Sequence, residues 1–327
     1  MPKGAISHGL RILRSIVTRD EVIKEYPDKA ILLLREFPDR IIQKLWNALG
    51  RPAQSRRPVQ AIGRLIHRRA RRTQDHEALS DYTRFFRNPS QLEVLRDTVL
   101  DMDEGAKLKL AVLGCSSGAE LYSALWTIRT ARPDLITSAI GIDISRTCID
   151  RAIDGTYPVG SRAVEGITET TYPRLFNMEA DTFTVQEWLR EGVTWKVASA
   201  CSAALLAEFG LQDLVFADNF LCHLPKENEE PCLRSLAGLV APNGMLFVSC
   251  VDFDVKARML ASLGFVPVTA RLEDVYMEDR AAREAWPLKY WGIEPLDKRR
   301  PAWTTRYARI FRRADSERPE KAEHSAR

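Results

Sequence analysis

Two carboxylates, Glu120 and Asp143, stand 23 residues apart around a pair of short apolar runs, and their setting defines a chemistry. Glu120 follows a turn of small residues, Gly114-Cys115-Ser116-Ser117-Gly118. Two glycines there let the backbone bend sharply and lie close to a ligand. The run before the turn, Leu110 to Leu113, is too short for a helix and reads as a buried parallel strand. After the turn, Leu121, Ala124, Leu125 and Ile128 share one helical face, and the helix must stop before Pro133. A second apolar strand, Ser138 to Ile142, delivers Asp143 at its carboxyl end. This is the first half of a doubly wound sheet, in which ligands sit outside the carboxyl ends of the strands.

The ligand follows from what the turn lacks. A dinucleotide fingerprint needs Gly-x-Gly-x-x-Gly so that a pyrophosphate can approach the backbone. Here Glu120 falls where it would repel a phosphate, and it suits a cation instead. Asp143 is placed to accept hydrogen bonds from ribose hydroxyls. S-adenosylmethionine (SAM) meets both demands, with an ammonium, a sulfonium, a ribose and no phosphate. Each carboxylate also has a plainer reading: Glu120 favours a helix start through the dipole, and Asp143 serves as a capping partner.

The 327 residues can bury one large core plus a smaller appendage. No apolar run approaches the ~20 residues of a membrane span, and the first residues lack a signal-peptide core with a cleavage site, so the expectation is a cytoplasmic protein that is not transmembrane. The six cysteines show no Cys-x-x-Cys pair and no histidine at zinc-ligand spacing. They are expected to be buried thiols in a reducing compartment, with no metal. Charge is uneven: residues 1 to 75 hold 17 Lys or Arg against 7 Asp or Glu, and eight arginines lie between Arg51 and Arg72. That stretch is a candidate surface for an acidic protein, nucleic acid or lipid, or else a solvated helix face on its own acidic body.

Apolar stripes broken at Pro27, Pro38 and Gly50 predict helices over the first 49 residues, then a linker over Arg51 to Pro58 and a basic helix from Val59 to Arg72. Residues Val159 to Asp181 read as irregular, and Val193 to Trp195 as a strand. Asp213 to Asn219 reads as the next strand of the sheet; Pro242-Asn243-Gly244 reads as a tight turn before a strand from Met245 to Val251. Gly264 to Val268 and Thr304 to Phe311 can supply antiparallel strands at the sheet's end. Between them, Arg271 to Trp303 carries Tyr276, Trp286, Tyr290, Trp291 and Trp303, which either shape an acceptor pocket or form an excursion over the sheet edge. The tail from 315 to 327 is polar enough to be disordered.

Ahead of the first strand stands Thr83-Arg84-Phe85-Phe86-Arg87, and after the turn Gly118-Ala119-Glu120-Leu121-Tyr122-Ser123, then Ala152-Ile153-Asp154-Gly155-Thr156-Tyr157. Together these resemble the CheR type of SAM-dependent methyltransferase, enzymes that esterify glutamate side chains of chemotaxis receptors. The resemblance spans about Tyr82 to Val251. It implies a Rossmann-like α/β sheet, mostly parallel with an antiparallel last strand, preceded by a small basic helical region. The expected division is a basic helical region at 1–75, a methyltransferase domain at 76–314 and the tail.

The resemblance also implies roles. Thr83 and Arg87 close over the cofactor, Gly114 and Gly118 shape its turn, Glu120 holds its amino group and Asp143 its ribose. Ser199, where the family has an asparagine, and Ala200 stand near the adenine. Asn219 keeps the family's asparagine beside both cofactor and acceptor, whereas Asp218 and His223 replace an arginine and a tyrosine associated with the acceptor carboxylate and catalysis. An aspartate for an arginine removes a fork that would hold a glutamate and substitutes repulsion. His223 could act as a base toward a hydroxyl or amine, or merely cap its loop. The expected activity is O-methylation of a protein carboxylate. The alternatives are methylation of a small-molecule oxygen or nitrogen, a nicotinamide-dependent oxidoreductase, and a non-catalytic adaptor acting through its arginine-rich region.

Overall fold

The computed structural model of the chain describes residues 39–48, 54, 57–73, 82–168 and 170–314. The helices expected before residue 39 and the tail at 315–327 lie outside the described residues. The described chain falls into two compact units, one of Met1–Asp75 with Asp279–Leu296, the other of His76–Glu278 with Asp297–Arg327.

In the first unit, α1 (Asp39–Ala48) and α2 (Arg57–Thr73) present apolar stripes. The expected linker is shorter than Arg51 to Pro58, because Pro58 already lies in the first turn of α2, where a missing N–H costs nothing. Ile42, Trp46, Val59, Ile62 and Ile66 are buried around Trp286. Trp46 meets Trp286 edge-on at 5.4 Å between ring centroids. Gly63 makes room for this: a Cβ there would stand 2.3 Å from the Trp286 ring.

The second unit begins with α3 (Pro89–Leu100) and is built on β1 (Lys107–Leu113), α4 (Ala119–Ala131), β2 (Ile136–Asp143) and α5 (Arg146–Asp154). Three short strands follow, β3 (Thr156–Pro158), β4 (Phe176–Met178) and β5 (Thr182–Val185), then β6 (Val193–Val197) and β7 (Gln212–Ala217). Helix α6 (Lys226–Leu239) runs straight into β8 (Val240–Val248), and α7 (Phe253–Ser262), β9 (Phe265–Pro267) and β10 (Ile310–Arg313) complete the unit's framework.

The seven-stranded sheet has the order β6-β2-β1-β7-β8-β10-β9. Pairs from β6 to β8 are parallel, and β10 runs antiparallel to both neighbours. The expected mostly parallel sheet with an antiparallel finish is therefore present. Continuous apolar runs form its centre because strands covered on both faces have no side for water: Leu110 to Leu113 and Leu214 to Ala217 are all buried. Phe216 and Phe247 stack across neighbouring strands at 4.0 Å.

Three local expectations change. Residues between Val159 and Asp181 are not wholly irregular, for Phe176–Met178 joins a three-stranded antiparallel sheet of order β3-β5-β4. Strands of three or four residues are too short for alternation to be read along the chain. Pro242-Asn243-Gly244 lies inside β8, where Asn243 takes φ 62° and the register with β7 shifts between Gln212 and Leu214. The first half of the last strand expected over Thr304 to Phe311 falls instead in a helix, Trp303–Tyr307, and the strand starts only at Ile310.

Candidate active site

The segment Thr83 to Arg87 is positioned by its two phenylalanines. Phe85 is buried edge-on against Tyr157 and Phe176, each at 5.0 Å, and its N–H donates to the Ala163 carbonyl at 2.8 Å. Phe86 meets Trp126 at 5.3 Å, and its N–H donates to Ser123 Oγ at 2.9 Å. Anchored on both sides of the segment's end, the chain leaves Thr83 and Arg87 on the wall of a cavity of about 450 Å³, a size suited to a small ligand. Tyr82 joins them, with the Arg87 guanidinium 5.4 Å from its ring centroid.

The turn after β1 forms the cavity floor. Gly114 has φ 71°, and a Cβ there would meet Phe220 at 2.8 Å, so both backbone and space require glycine. Gly118, at φ 88°, caps α4, and a Cβ would stand 2.9 Å from Trp195. Gly114 lines the cavity; Gly118 does not, and its part is to let α4 start against Trp195. Tyr157 explains the Gly-x-Tyr pattern. Gly155 ends α5 in the left-handed region, and the Tyr157 hydroxyl two residues on donates to the Ser117 carbonyl at 2.6 Å, tying the turn to the small sheet.

Asp143 meets the capping reading in its hydrogen bonds. Its Oδ2 accepts from Ser116 N and its Oδ1 from Ser145 N, each at 2.8 Å, which locks the turn to the end of β2. It also lines the cavity, and each oxygen keeps a lone pair for a further donor. Glu120, in the first turn of α4, faces the same space. Burial, then the charge of Asp218, pushes its carboxyl up to about 8, while Arg87 pulls it down. A cation placed beside it would restore its ionised form.

The far wall comes from the ends of β6 and β7. Ser199 and Ala200 line it, with Ser199 Oγ accepting from Cys201 N at 3.3 Å. Asp218, Asn219 and His223 complete it. Asn219 takes φ 62°, a conformation asparagine tolerates better than most residues, and its N–H donates to Ser249 Oγ at 3.1 Å. Of the expected site residues, all but Gly118 converge on this one cavity. No residue of the aromatic stretch 271–303 lines it; Trp286 packs in the first unit, and Tyr276 is buried against Tyr307 at 5.1 Å.

Several wall residues were not singled out from sequence. Thr147, Cys148 and Arg151 line the cavity from α5, and their spacing along one helical face is the signal that could have shown it. Ile144 stands at the mouth with 63 % of its surface exposed, an apolar side chain between two polar ones.

The cysteines depart from expectation. Cys201 pairs with Cys232 on α6 and Cys222 with Cys250, leaving Cys115 and Cys148 as buried thiols. The pairs are 31 and 28 residues apart, so only the folded arrangement of the loops after β6 and β7 reveals them. Among the described residues no group of side chains could hold a metal ion, and no helix is long and apolar enough to cross a membrane.

The donor set and the glycine turn fit SAM on this structure's own terms, with two carboxylates, close backbone approach at Gly114 and no phosphate-binding pattern. Comparison with known proteins agrees. The family described as CheR methyltransferase, SAM binding domain, matches residues 81–252. The chain is 26 % identical over 211 residues to the probable biofilm formation methyltransferase WspC of Pseudomonas aeruginosa, covering 63 % of this chain and 49 % of that protein. It is 29 % identical over 184 residues to the protein of the same name from Pseudomonas putida, covering 54 % and 42 %. With chemotaxis protein methyltransferase 2 of Vibrio cholerae it shares 26 % over 174 residues, covering 51 % and 60 %. The chain thus spans about half the length of these relatives. More than half of the chain lies within the matched segment, the cavity's walls among it, and the chain belongs to the CheR methyltransferase family through its SAM-binding domain.

Proposed function

We propose that this chain transfers a methyl group from SAM to an acceptor bound beside Asn219 and His223. The observation that carries this reading is the convergence of Glu120 and Asp143, from the start of α4 and the end of β2, on one cavity whose wall includes Thr83 and Arg87. Glu120 holds the ammonium and Asp143 the ribose. Ile144 offers an apolar face to the adenine, and Ser199 and Ala200 meet its edge. Bound SAM supplies a methyl group on a positively charged sulfur, and displacement from it needs alignment and exclusion of water more than it needs a strong acid or base. Arg87 and Tyr82 cover the site, and Asn219, held by Ser249, orients the acceptor side.

The family resemblance points to a protein carboxylate as acceptor, which needs no base. Asp218, standing where the family resemblance implies an arginine, favours a second reading, in which the methylated atom brings its own hydrogen. Calorimetry tests the shared core. Micromolar uptake of SAM and of S-adenosylhomocysteine, with none of NAD, is expected; saturation by NAD with no response to SAM would overturn the reading in favour of an oxidoreductase. The arginine-rich region between Arg51 and Arg72 remains a proposed contact for an acidic protein, nucleic acid or lipid. Salt-sensitive binding lost on deleting residues 1 to 75 would support that contact.

A further inference from the structure

Between the end of β6 and the short helix Ala204–Phe209, the chain carries Ser199, Ala200 and Cys201, all three on the cavity wall. Its hydrogen bonds hold this loop lightly. Ala198 N donates to the Asp143 carbonyl at 3.0 Å, whereas Ser202 N to the Ser199 carbonyl and Cys201 N to Ser199 Oγ close only local turns. The wider tether is covalent, from Cys201 to Cys232 on α6. The two sulfurs differ in access: Cys232 is 0 % exposed, while Cys201 is half-buried and faces the cavity. A reductant therefore meets this pair at Cys201, on the wall where the adenine is placed. Neither Cys222 nor Cys250 of the second pair lines the cavity.

We propose that the Cys201–Cys232 pair is a redox site linked to the cofactor: a small dithiol reduces it, reduction weakens SAM binding, and bound SAM protects it. The inference rests on the adenine lying beside Ser199 and Ala200, as proposed above. With the bond closed, the loop is fastened to α6 before the cofactor arrives. With the bond open, the loop samples more conformations, and the cost of ordering it is subtracted from the affinity. Linkage makes the effect reciprocal, so the factor that reduction takes from SAM affinity is the factor that saturating SAM takes from the reduction equilibrium. In the exchange, one thiolate of the dithiol bonds to Cys201 Sγ as the bond to Cys232 breaks. The electron pair leaves on Cys232 Sγ, which takes up a proton. The dithiol's second sulfur gives up its proton and bonds to the first, expelling Cys201 as a thiolate that is protonated in turn. The products are two cysteine thiols and the oxidised, cyclic form of the dithiol.

The test equilibrates the full chain in dithiothreitol buffers of graded reduced-to-oxidised ratio, with and without saturating SAM. Alkylation then traps the thiols, and peptide mass reads each cysteine. Saturating SAM should move the Cys201–Cys232 midpoint about tenfold toward the more reducing buffers and the Cys222–Cys250 midpoint by less than about twofold. Calorimetry on the oxidised and reduced chain should show a matching fall in SAM affinity on reduction. The double variant Cys201→Ser, Cys232→Ser should bind SAM about tenfold more weakly than the oxidised chain and lose less than about twofold more on adding reductant. Should that variant misfold, the titration of the unaltered chain decides alone. An equal shift of both pairs would make the effect a general tightening of the fold and overturn the link. An unmoved midpoint with equal SAM affinity in both states would overturn it too, leaving cofactor binding intact. Six alkylated thiols before any reductant is added would remove the pair itself. No SAM uptake in either state would sink the placing of the cofactor, and this inference with it.

Discussion

Glu120 is a buried carboxyl beside another acid, and in the proposed reading the cofactor's ammonium would offset both. Burial and the Asp218 charge raise its carboxyl to about 8, so the folded protein holds a proton there that the unfolded chain releases near the usual carboxylate value. Stability therefore falls as pH rises from about 4.5 toward 8, because the native state binds more protons than the unfolded one in that window. Glu120→Gln removes this dependence. In thermal melts without cofactor, the variant should exceed the original chain by a margin that widens between pH 5 and pH 8.5, while its SAM affinity falls at least tenfold at neutral pH. Equal pH profiles for both proteins would show that the carboxyl is not held in its neutral form. Asp143 is different: each of its oxygens already accepts one backbone donor, from Ser116 or Ser145, so it shapes the turn whether or not a ribose is bound.

At the scale of elements, the site depends on segments that touch no ligand. Phe85 does not line the cavity, yet its ring is buried among Tyr122, Tyr157 and Phe176 and sets the path of the chain between Thr83 and Arg87. Phe85→Ala should cost about 3–5 kcal/mol of stability, read by urea denaturation, and lower SAM affinity through the freed segment. Tyr157→Phe isolates one link more gently. It removes the hydroxyl that holds the Ser117 carbonyl and should cost about 1 kcal/mol, with a loss of SAM affinity but no change in the sheet's circular dichroism. A variant that binds SAM normally would show that the turn holds its shape without this tie.

Across the whole molecule, the chain doubles back. Residues Asp279–Leu296 leave the sheet-bearing unit and join the N-terminal helices, where Trp286 closes on Gly63 and Trp46. Gly63→Leu should therefore unsettle that unit by about 1–3 kcal/mol, seen as faster proteolysis of α2, although leucine is the better helix former. The two cysteine pairs act at the same scale, each fastening a cavity-wall loop to structure behind it. Alkylation of the denatured chain without reductant should modify two cysteines, Cys115 and Cys148, and with reductant all six. Reduction should lower the melting midpoint by roughly 5 °C or more, given about 2–4 kcal/mol for each closed loop. Six reactive thiols in the unreduced chain would show that neither pair forms.

The sheet and the small-residue turn were legible in the chain because they are written locally. Apolar runs of strand length, a Gly-to-Gly turn and carboxylates at strand and helix ends each carry their meaning within a few residues, and the CheR resemblance joined them across Tyr82 to Val251. Tertiary structure alone decided what depends on distant partners. The cysteine pairs 31 and 28 residues apart, the Gln91–Asp218 bond and the use of Trp286 far from the cavity have no local signature. Nor did the three-residue strands, too short to show a period. The physical reason is common to them all: a contact between residues far apart along the chain is set by packing, and packing exists only once the chain has folded.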